Sequence, residues 1–325
     1  MAHRILFYVM SIDPALVDAY LDEHGLGNEF EVIVRTHGPM TTPSREDLEG
    51  VEGILGEFMP ARGKTIDELA EAGVRLMASL SIGVNHMDVQ ALADHGIVAT
   101  NCPGYCAQDV ALHAVALMLD LERQISFHNR RVMDGEWLPK GGYHMHRTQG
   151  QTCGLVFFGR IARQVVPIVQ ALGMHVLVWA PTKTSEELAE AGCEKAESLD
   201  ELLVRSDVVS LHCPLIPETK GLIGARELAL MKPTAFLINT ARGAVVNEDA
   251  LADALEQGVI QGAGIDVFAD ESHPNQRLIH APNCIVTPHC AYVSEESDEE
   301  LVRMGMDAAT DLLVRGVEPY NIVRP

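Results

Sequence analysis

CGLVFFGRIARQVVPIVQALGMHVLVWA, residues 153–180, is the stretch whose reading decides the fold. An apolar strand runs into a turn at Gly159, an amphipathic helix follows to Gly173, and a second apolar strand is HVLVWA (175–180). Strand, glycine turn, helix and strand within about 30 residues make half of a dinucleotide-binding sheet. The helix N-terminus there offers N–H groups and the positive end of its dipole to a pyrophosphate. The G-x-G-x-x-G fingerprint is incomplete, reading Phe157-Phe158-Gly159-Arg160-Ile161-Ala162. The middle glycine, which lets phosphate approach the backbone, is kept, and Ala162 is small enough for close helix–sheet packing. Phe157 stands where the first glycine makes the tight turn. The fingerprint alone divides evenly between a nucleotide site built on Gly159, Arg160 and Ile161 and a packed βαβ unit with no ligand.

The same alternation extends to both sides. RILFYV (4–9), EVIVRT (31–36), GILGE (53–57), LMASLS (76–81) and GIVATN (96–101) read as strands, with helices around 14–24, 65–72 and 87–94. Downstream, DVVSLHC (207–213), AFLINTA (235–241), GAGIDV (262–267) and CIVTPH (284–289) continue the second series. Such alternation predicts parallel sheets of βαβ units. Two longer helical patterns lie at the seams. Residues 107–127 keep apolar spacing for about five to six turns. SEESDEELVRMGMDAATDLLVRG (294–316) opens on Ser294 as N-cap, carries acidic residues in its first turn, and closes on Gly316. DGEWLPKGGYHMHRTQGQ (134–151) is turn-rich and reads as an arm or linker.

With 325 residues, 47% of them hydrophobic, the chain has room for two domains, each with a core. A formal charge of −22 repels nucleic acid and anionic membranes, so neither is expected as a partner. The same charge requires a locally basic site for any anionic substrate. Runs such as VALML (115–119) are too short to cross a bilayer, and MAHRILFYVM reads as a first strand, not a signal peptide. Seven cysteines, an odd count without C-x-x-C spacing, argue for reduced thiols, a cytoplasmic location and no structural zinc.

Polar residues cluster where strands end. Asn239, Thr240 and Arg242 follow AFLIN, Asp266 closes GAGID with Glu271 five residues on, and His289 closes CIVTP. In an open parallel sheet, ligands bind beyond the carboxyl ends of strands. Any one of these residues is more often a surface charge or turn residue; the three together suit one reaction. Arginine forks onto a carboxylate and polarises a ketone. Hydride addition leaves an alkoxide, to which a histidine gives a proton near neutral pH. A neighbouring carboxylate such as Glu271 favours the imidazolium and fixes its tautomer. The histidines show no H-x-x-x-H or H-E-x-x-H spacing, and no metal is expected.

The blocks INTARGAVVNEDAL (238–251), GAGIDVFADE (262–271), IVTPHCA (285–291), LHCPLIPETKGLI (211–223) and SIGVNHMDV (81–89) are the most specific pieces of the chain. Through them, from about residue 50 to 315, the chain resembles the D-isomer-specific 2-hydroxyacid dehydrogenases. This family includes phosphoglycerate dehydrogenase and glyoxylate/hydroxypyruvate reductase. The resemblance implies an α/β protein of two doubly wound, Rossmann-like parallel-sheet domains with a cleft between them. A flavodoxin-like substrate-binding domain would comprise 1–104 plus 294–325, and the nicotinamide dinucleotide-binding domain 105–293. It further implies Arg242, Glu271 and His289 as catalytic residues and Asp266 as holder of the nicotinamide carboxamide. Thr240 and Ala241 would line the nicotinamide site, and His212, Cys213, Pro214 and Thr219 would flank the adenosine. Amides around Ile82 and Gly83 would grip the substrate carboxylate, and a homodimer would form through the coenzyme domain and the arm at 128–150.

Three positions depart from the family pattern: Phe157, Ala180 in place of an acidic residue for the ribose hydroxyls, and Ser272 after Glu271 in place of proline. With no carboxylate at 180, and Thr182, Lys183 and Thr184 following, the balance tips toward NADP(H), with NAD(H) still open. Two rival readings stand beside the dehydrogenase: a dinucleotide-sensing or corepressor-like scaffold, and a phosphite-type dehydrogenase. Intact Arg242, Glu271 and His289 argue against the first. Among other residues, His113 reads as a hydrogen-bonded core histidine, His144 and His146 as solvated, and Cys290 as a small packed residue. Trp137 is expected to be buried, with reach to a partner's cleft as the alternative, and Met59 is a candidate to face the substrate.

Overall fold

The computed structural model describes residues 2–38 and 40–325, which form two compact units, Met1–Tyr105 with Val293–Pro325, and Cys106–Tyr292. The first unit runs β1 (His3–Val9), α1 (Ala15–His24), β2 (Phe30–Thr36), β3 (Gly53–Gly56), α2 (Lys64–Ala72), β4 (Leu76–Ser79), α3 (Val89–Asp94) and β5 (Val98–Thr100). Its strands are all parallel in the order β2-β1-β3-β4-β5, the flavodoxin-like arrangement. Residues Ile5–Val9 of β1 are buried throughout because both faces of a parallel sheet are covered. Ile5, Phe7 and Val9 belong to the core shared with the C-terminal helix Glu295–Ala309, while Leu6 and Tyr8 face the core that includes Ile66 and Leu92. Ser294 caps that helix by accepting from Ser297 N, and Gly316 ends the π-helical turn Thr310–Arg315 at φ 66°. At Gly305 a Cβ would lie 2.8 Å from Leu80, so glycine lets the helix sit directly on the sheet.

The second unit runs α4 (Ala107–Arg123), α5 (Ile125–Met133), β6 (Thr152–Val156), α6 (Arg160–Ala171), β7 (His175–Trp179), α7 (Ser185–Glu190), β8 (Glu194–Lys195), α8 (Leu199–Arg205) and β9 (Val208–Leu211). It continues with α9 (Ala225–Leu230), β10 (Phe236–Asn239), α10 (Glu248–Glu256), β11 (Gly262–Ile265), α11 (Gln276–Ile279) and β12 (Cys284–Val286). The parallel order is β12-β11-β10-β9-β6-β7-β8. The strand order reverses between β6 and β9. This is the switch point beside which doubly wound sheets bind ligands, outside the carboxyl ends of their strands.

Three local expectations change. The helix expected over 107–127 breaks at Gln124, which takes the left-handed conformation (φ 52°). Asp120 draws Ser126 N–H onto its carboxylate, and Gln124 Nε2 donates to Tyr143 O at 2.8 Å, so side chains hold the break. Trp137 is 86% exposed in the single chain, because the arm around it contains no helix or strand to bury it. Met59 is fully buried in the sheet core of the first unit and offers nothing to a substrate. Among the described residues no helix is long and apolar enough to cross a membrane.

Candidate active site

Loops leaving the carboxyl ends of the second unit's strands carry nearly every residue singled out above. At the exit of β6, Phe157 adopts φ 72°, the left-handed region that a first fingerprint glycine would enter without cost. Its ring meets Trp179 edge-on, with centroids 5.8 Å apart, and packs on the core beside β7. Gly159 then caps α6, and a Cβ built there meets nothing within 4 Å, so the space over this helix start is open. Arg160 is the first helical residue, while Ile161 turns inward against the core under α4. Arg163, one turn on, lays its guanidinium over Phe158 at 4.6 Å.

At the exit of β9, Thr219 knots the loop by accepting from Ile216 N (2.9 Å) and donating to Pro214 O (2.6 Å). Cys213 is buried, which pushes its thiol up to about 11. The Nε2 of His212 is enclosed without a hydrogen-bond partner among the described residues, and burial pushes the ring down to about 4, leaving it neutral. At the exit of β7, Ala180 is buried, Thr182 is exposed, and Lys183 Nζ lies 3.0 Å from Glu187. Thr184 caps α7 by accepting from Glu187 N.

The β10 exit is shaped by Asn239, whose side chain accepts from Ala241 N and donates to Arg242 O, both at 3.0 Å. Thr240 is buried, its hydroxyl without a partner among the described residues. Arg242 is half-buried and donates to Ala241 O at 2.6 Å. The next residue must be glycine, because a Cβ on Gly243 would fall 2.0 Å from the carbonyl carbon of Phe268. This contact presses the loop bearing Arg242 directly against the loop from Asp266 to Glu271.

Glu271 and His289 meet across those loops. Nδ1 of His289 lies 2.8 and 3.0 Å from the two carboxylate oxygens of Glu271. His289 itself sits at φ 51°, a conformation costing roughly 1–2 kcal/mol for an L-residue. Its loop is held there by Asp266, which is 1% exposed. Asp266 accepts from Thr287 Oγ1 (2.5 Å), Cys290 N (3.0 Å) and Ala291 N (3.1 Å), and its carbonyl accepts from His289 N (2.8 Å). His113, on α4, contacts Thr287 Oγ1 through Nε2 at 3.0 Å. Thr287 gives its one proton to the carboxylate, so His113 Nε2 must be the donor. Sequence reasoning assigned Asp266 a ligand role and missed this second one. Residues 113 and 287 are 174 positions apart, and no local pattern links them. Among the described residues, His113, Asp266 and Cys290 are the one group close enough to share a metal ion, but three lone pairs of Asp266 are already engaged.

In the first unit, Ile82 and Gly83 lie just past β4; Gly83 is partly exposed, and Asn101 Nδ2 donates to Ile82 O at 2.7 Å.

These loops fit a nicotinamide dinucleotide. Open space lies over the glycine at the α6 start, and two enclosed polar atoms, Thr240 Oγ1 and His212 Nε2, wait at neighbouring strand ends. The comparison with known proteins agrees. The family described as D-isomer specific 2-hydroxyacid dehydrogenase, NAD binding domain, matches residues 115–291. The chain is 36% identical over 305 residues to a glyoxylate reductase of Thermococcus litoralis, covering 91% of each. It is 33% identical over 325 residues to a glycerate dehydrogenase of Methylorubrum extorquens, covering 98% of this chain and 97% of that one. The TT0316 protein from Thermus thermophilus superposes with a TM-score of 0.85 at 31% identity, over 98% of this chain and 99% of that one. The protein belongs to the D-isomer specific 2-hydroxyacid dehydrogenase family, and its coenzyme is a nicotinamide dinucleotide.

Proposed function

We propose that this chain interconverts a small 2-oxo acid and its D-2-hydroxy acid with a nicotinamide coenzyme, using Arg242, Glu271 and His289. The observation that carries this reading is the contact of both Glu271 oxygens with His289 Nδ1. Bound, the reduced coenzyme supplies the hydride. Glu271 holds the Nδ1–H side of the imidazole, which leaves Nε2–H to protonate the nascent alkoxide. Arg242 polarises the ketone and balances the substrate's charge. Amides of the Ile82–Gly83 loop take the carboxylate. A carboxylate offers about four acceptor sites, and Asp266 spends three inside the protein, which leaves one for the nicotinamide carboxamide. Thr240 and Ala241 line the nicotinamide; Gly159, Arg160 and Ile161 take the pyrophosphate; His212, Cys213, Pro214 and Thr219 flank the adenosine.

For the coenzyme, we favour NADP(H) over NAD(H). The absence of a carboxylate at Ala180 supports this preference, as does Arg163 on the first turn of α6: the Thr184 N–H and Lys183 hold Glu187 of α7 below the usual carboxylate range, and the Arg163 charge adds to them. Thr182 and Lys183 would face the 2′-phosphate, with Lys183 exchanging Glu187 for it. A homodimer and a cytoplasmic location complete the proposal. The exposed apolar side chains of α5 and the arm, among them Met133, Trp137 and Leu138, support the dimer. The test is NADH and NADPH oxidation with glyoxylate, hydroxypyruvate, pyruvate and branched-chain oxo acids. Reduction of at least one oxo acid is expected. Nucleotide-dependent thermal stabilisation with no reduction of any would favour the sensor or scaffold reading instead.

A further inference from the structure

The loop after β4 contains a hydrogen-bond chain with one allowed direction. Ser81 Oγ lies 2.8 Å from the Gly83 carbonyl, which only accepts, so Ser81 donates its single hydroxyl proton there. Ser79 Oγ is 2.8 Å from Ser81 Oγ, and with Ser81's proton committed Ser79 must be the donor in that contact. His86 Nε2 is 3.0 Å from Ser79 Oγ, and with Ser79's proton committed the ring must donate. The order is therefore His86 Nε2–H to Ser79, Ser79 to Ser81, and Ser81 to Gly83 O. Ser79 is fully buried and Ser81 is 4% exposed, so reversing any link would leave two lone pairs facing each other away from water. Burial lowers His86 to about 4, so near pH 7 the ring carries one proton, which this chain assigns to Nε2.

Three consecutive carbonyls of the loop are tied in this way. Ser81 O accepts from Cys102 N (2.9 Å), Ile82 O from Asn101 Nδ2 (2.7 Å), and Gly83 O from Ser81 (2.8 Å). In a trans peptide the N–H points opposite its C=O. Tying those carbonyls fixes the N–H groups of Ile82, Gly83 and Val84, none of which has a hydrogen-bond partner among the described residues. A charged acceptor is the natural ligand for oriented, unpaired amides. Arg62, bonded to Asn85 O and close enough to His86 to disfavour its charged form, adds positive potential beside them.

We propose that His86, Ser79 and Ser81 are positioning residues that lock the Gly83 carbonyl and so preset the Val84 amide, beside the Gly83 amide that Asn101 holds through Ile82 O, for the carboxylate of the substrate. The proposal rests on the reading of this loop as the carboxylate site. It extends that reading from the backbone of residues 82 and 83 to three side chains and one further amide.

The test uses the full-length chain in three variants, Ser81→Ala, Ser81→Thr and His86→Gln, the last presenting an Nε2 donor of similar reach. Two readouts are taken: steady-state kinetics with glyoxylate, and binding of oxalate, an unreactive dicarboxylate, followed by calorimetry and by the Gly83 amide resonance in protein labelled with nitrogen-15 glycine. Ser81→Ala is expected to raise KM for glyoxylate and weaken oxalate at least tenfold, with kcat within about threefold and the nucleotide KM unchanged. Ser81→Thr and His86→Gln should both stay near wild type. Oxalate affinity and KM unchanged in Ser81→Ala would overturn the proposal, as would equal losses in Ser81→Ala and Ser81→Thr. If oxalate neither binds wild type nor moves the Gly83 resonance, the loop is not a carboxylate site, and both the reading and the proposal fall. If wild type binds oxalate and Ser81→Ala binds it equally, only the hydrogen-bond chain is refuted.

Discussion

His289 carries two burdens at once, a left-handed backbone (φ 51°) and an imidazole fixed by both oxygens of Glu271. Strain of this kind persists only where neighbours over-determine it, and Asp266 supplies that restraint through four hydrogen bonds to the loop. Replacing Glu271 with Gln keeps a hydrogen bond to Nδ1 but removes the charge. Turnover should fall, by less than the loss of roughly 10²–10⁴ expected for His289→Ala. Stopped-flow reduction at saturating oxo acid would measure both, and a larger loss in the Glu271 variant than in His289→Ala would mean that Glu271 does not act through His289. Phe157 is the other strained residue. A glycine there would recover roughly 1–2 kcal/mol of left-handed strain, but it would forfeit the packing on Trp179 and add chain entropy to the unfolded state. Packing should win, so Phe157→Gly is expected to melt at a lower temperature than wild type in a calorimetric scan. Arg242, Glu271 and His289 were legible in the sequence because each follows its own strand by a short offset. The His113–Thr287–Asp266 connection was not, because only the folded sheet brings α4 to the end of β12. The Ser79–Ser81–His86 chain was hidden for another reason: small polar residues in a loop carry no periodic signal.

Along α4, the sequence predicted one long helix, and apolar spacing continues past the point where the backbone turns left-handed at Gln124. Hydrophobic period alone does not register a break enforced by Asp120 and by the bond from Gln124 to Tyr143. The strands other than β8 (Glu194–Lys195), and their parallel sense, were readable because buried parallel strands are continuous apolar runs, whereas β8 has two charged residues and no apolar run; several strand ends were overextended because the exit loops are also partly apolar. The same helix holds Glu122, 3% exposed, with one carboxyl oxygen lacking a partner among the described residues. Burial raises Glu122 above the usual carboxylate range, partly offset by the Thr148 hydroxyl. The unfolded chain loses this proton at lower pH than the folded one, so stability falls as pH rises from the unfolded value through the folded one. Glu122→Gln, which cannot ionise and keeps an acceptor for Thr148, should raise the melting temperature at pH 8 and change it little at pH 4. Thermal melts at the two pH values check this, and a variant less stable at pH 8 would contradict it.

Across the whole molecule, 46 acidic against 24 basic side chains leave a net charge of −22, yet acid should not simply relieve that repulsion. His86 in the first unit and His212 in the second are both held down to about 4 by burial. Between that value and an unfolded value of about 6.5, the unfolded chain binds protons that the folded chain refuses. Their contribution to stability is complete above about pH 6.5 and is lost as pH falls toward 4. The melting temperature is expected to drop from pH 7 to pH 5, and His212→Leu should flatten that slope. A flat profile in wild type would mean that these rings are solvated.

The proposed chemistry turns on His289 as the proton donor to a reduced 2-oxo acid. The most direct test is the initial rate of NADPH or NADH oxidation with glyoxylate, wild type against His289→Ala, with nucleotide affinity measured on both proteins. Robust wild-type reduction, a loss of two or more orders of magnitude in the variant and matched nucleotide affinity are predicted. An alanine variant that turns over at the wild-type rate would contradict it.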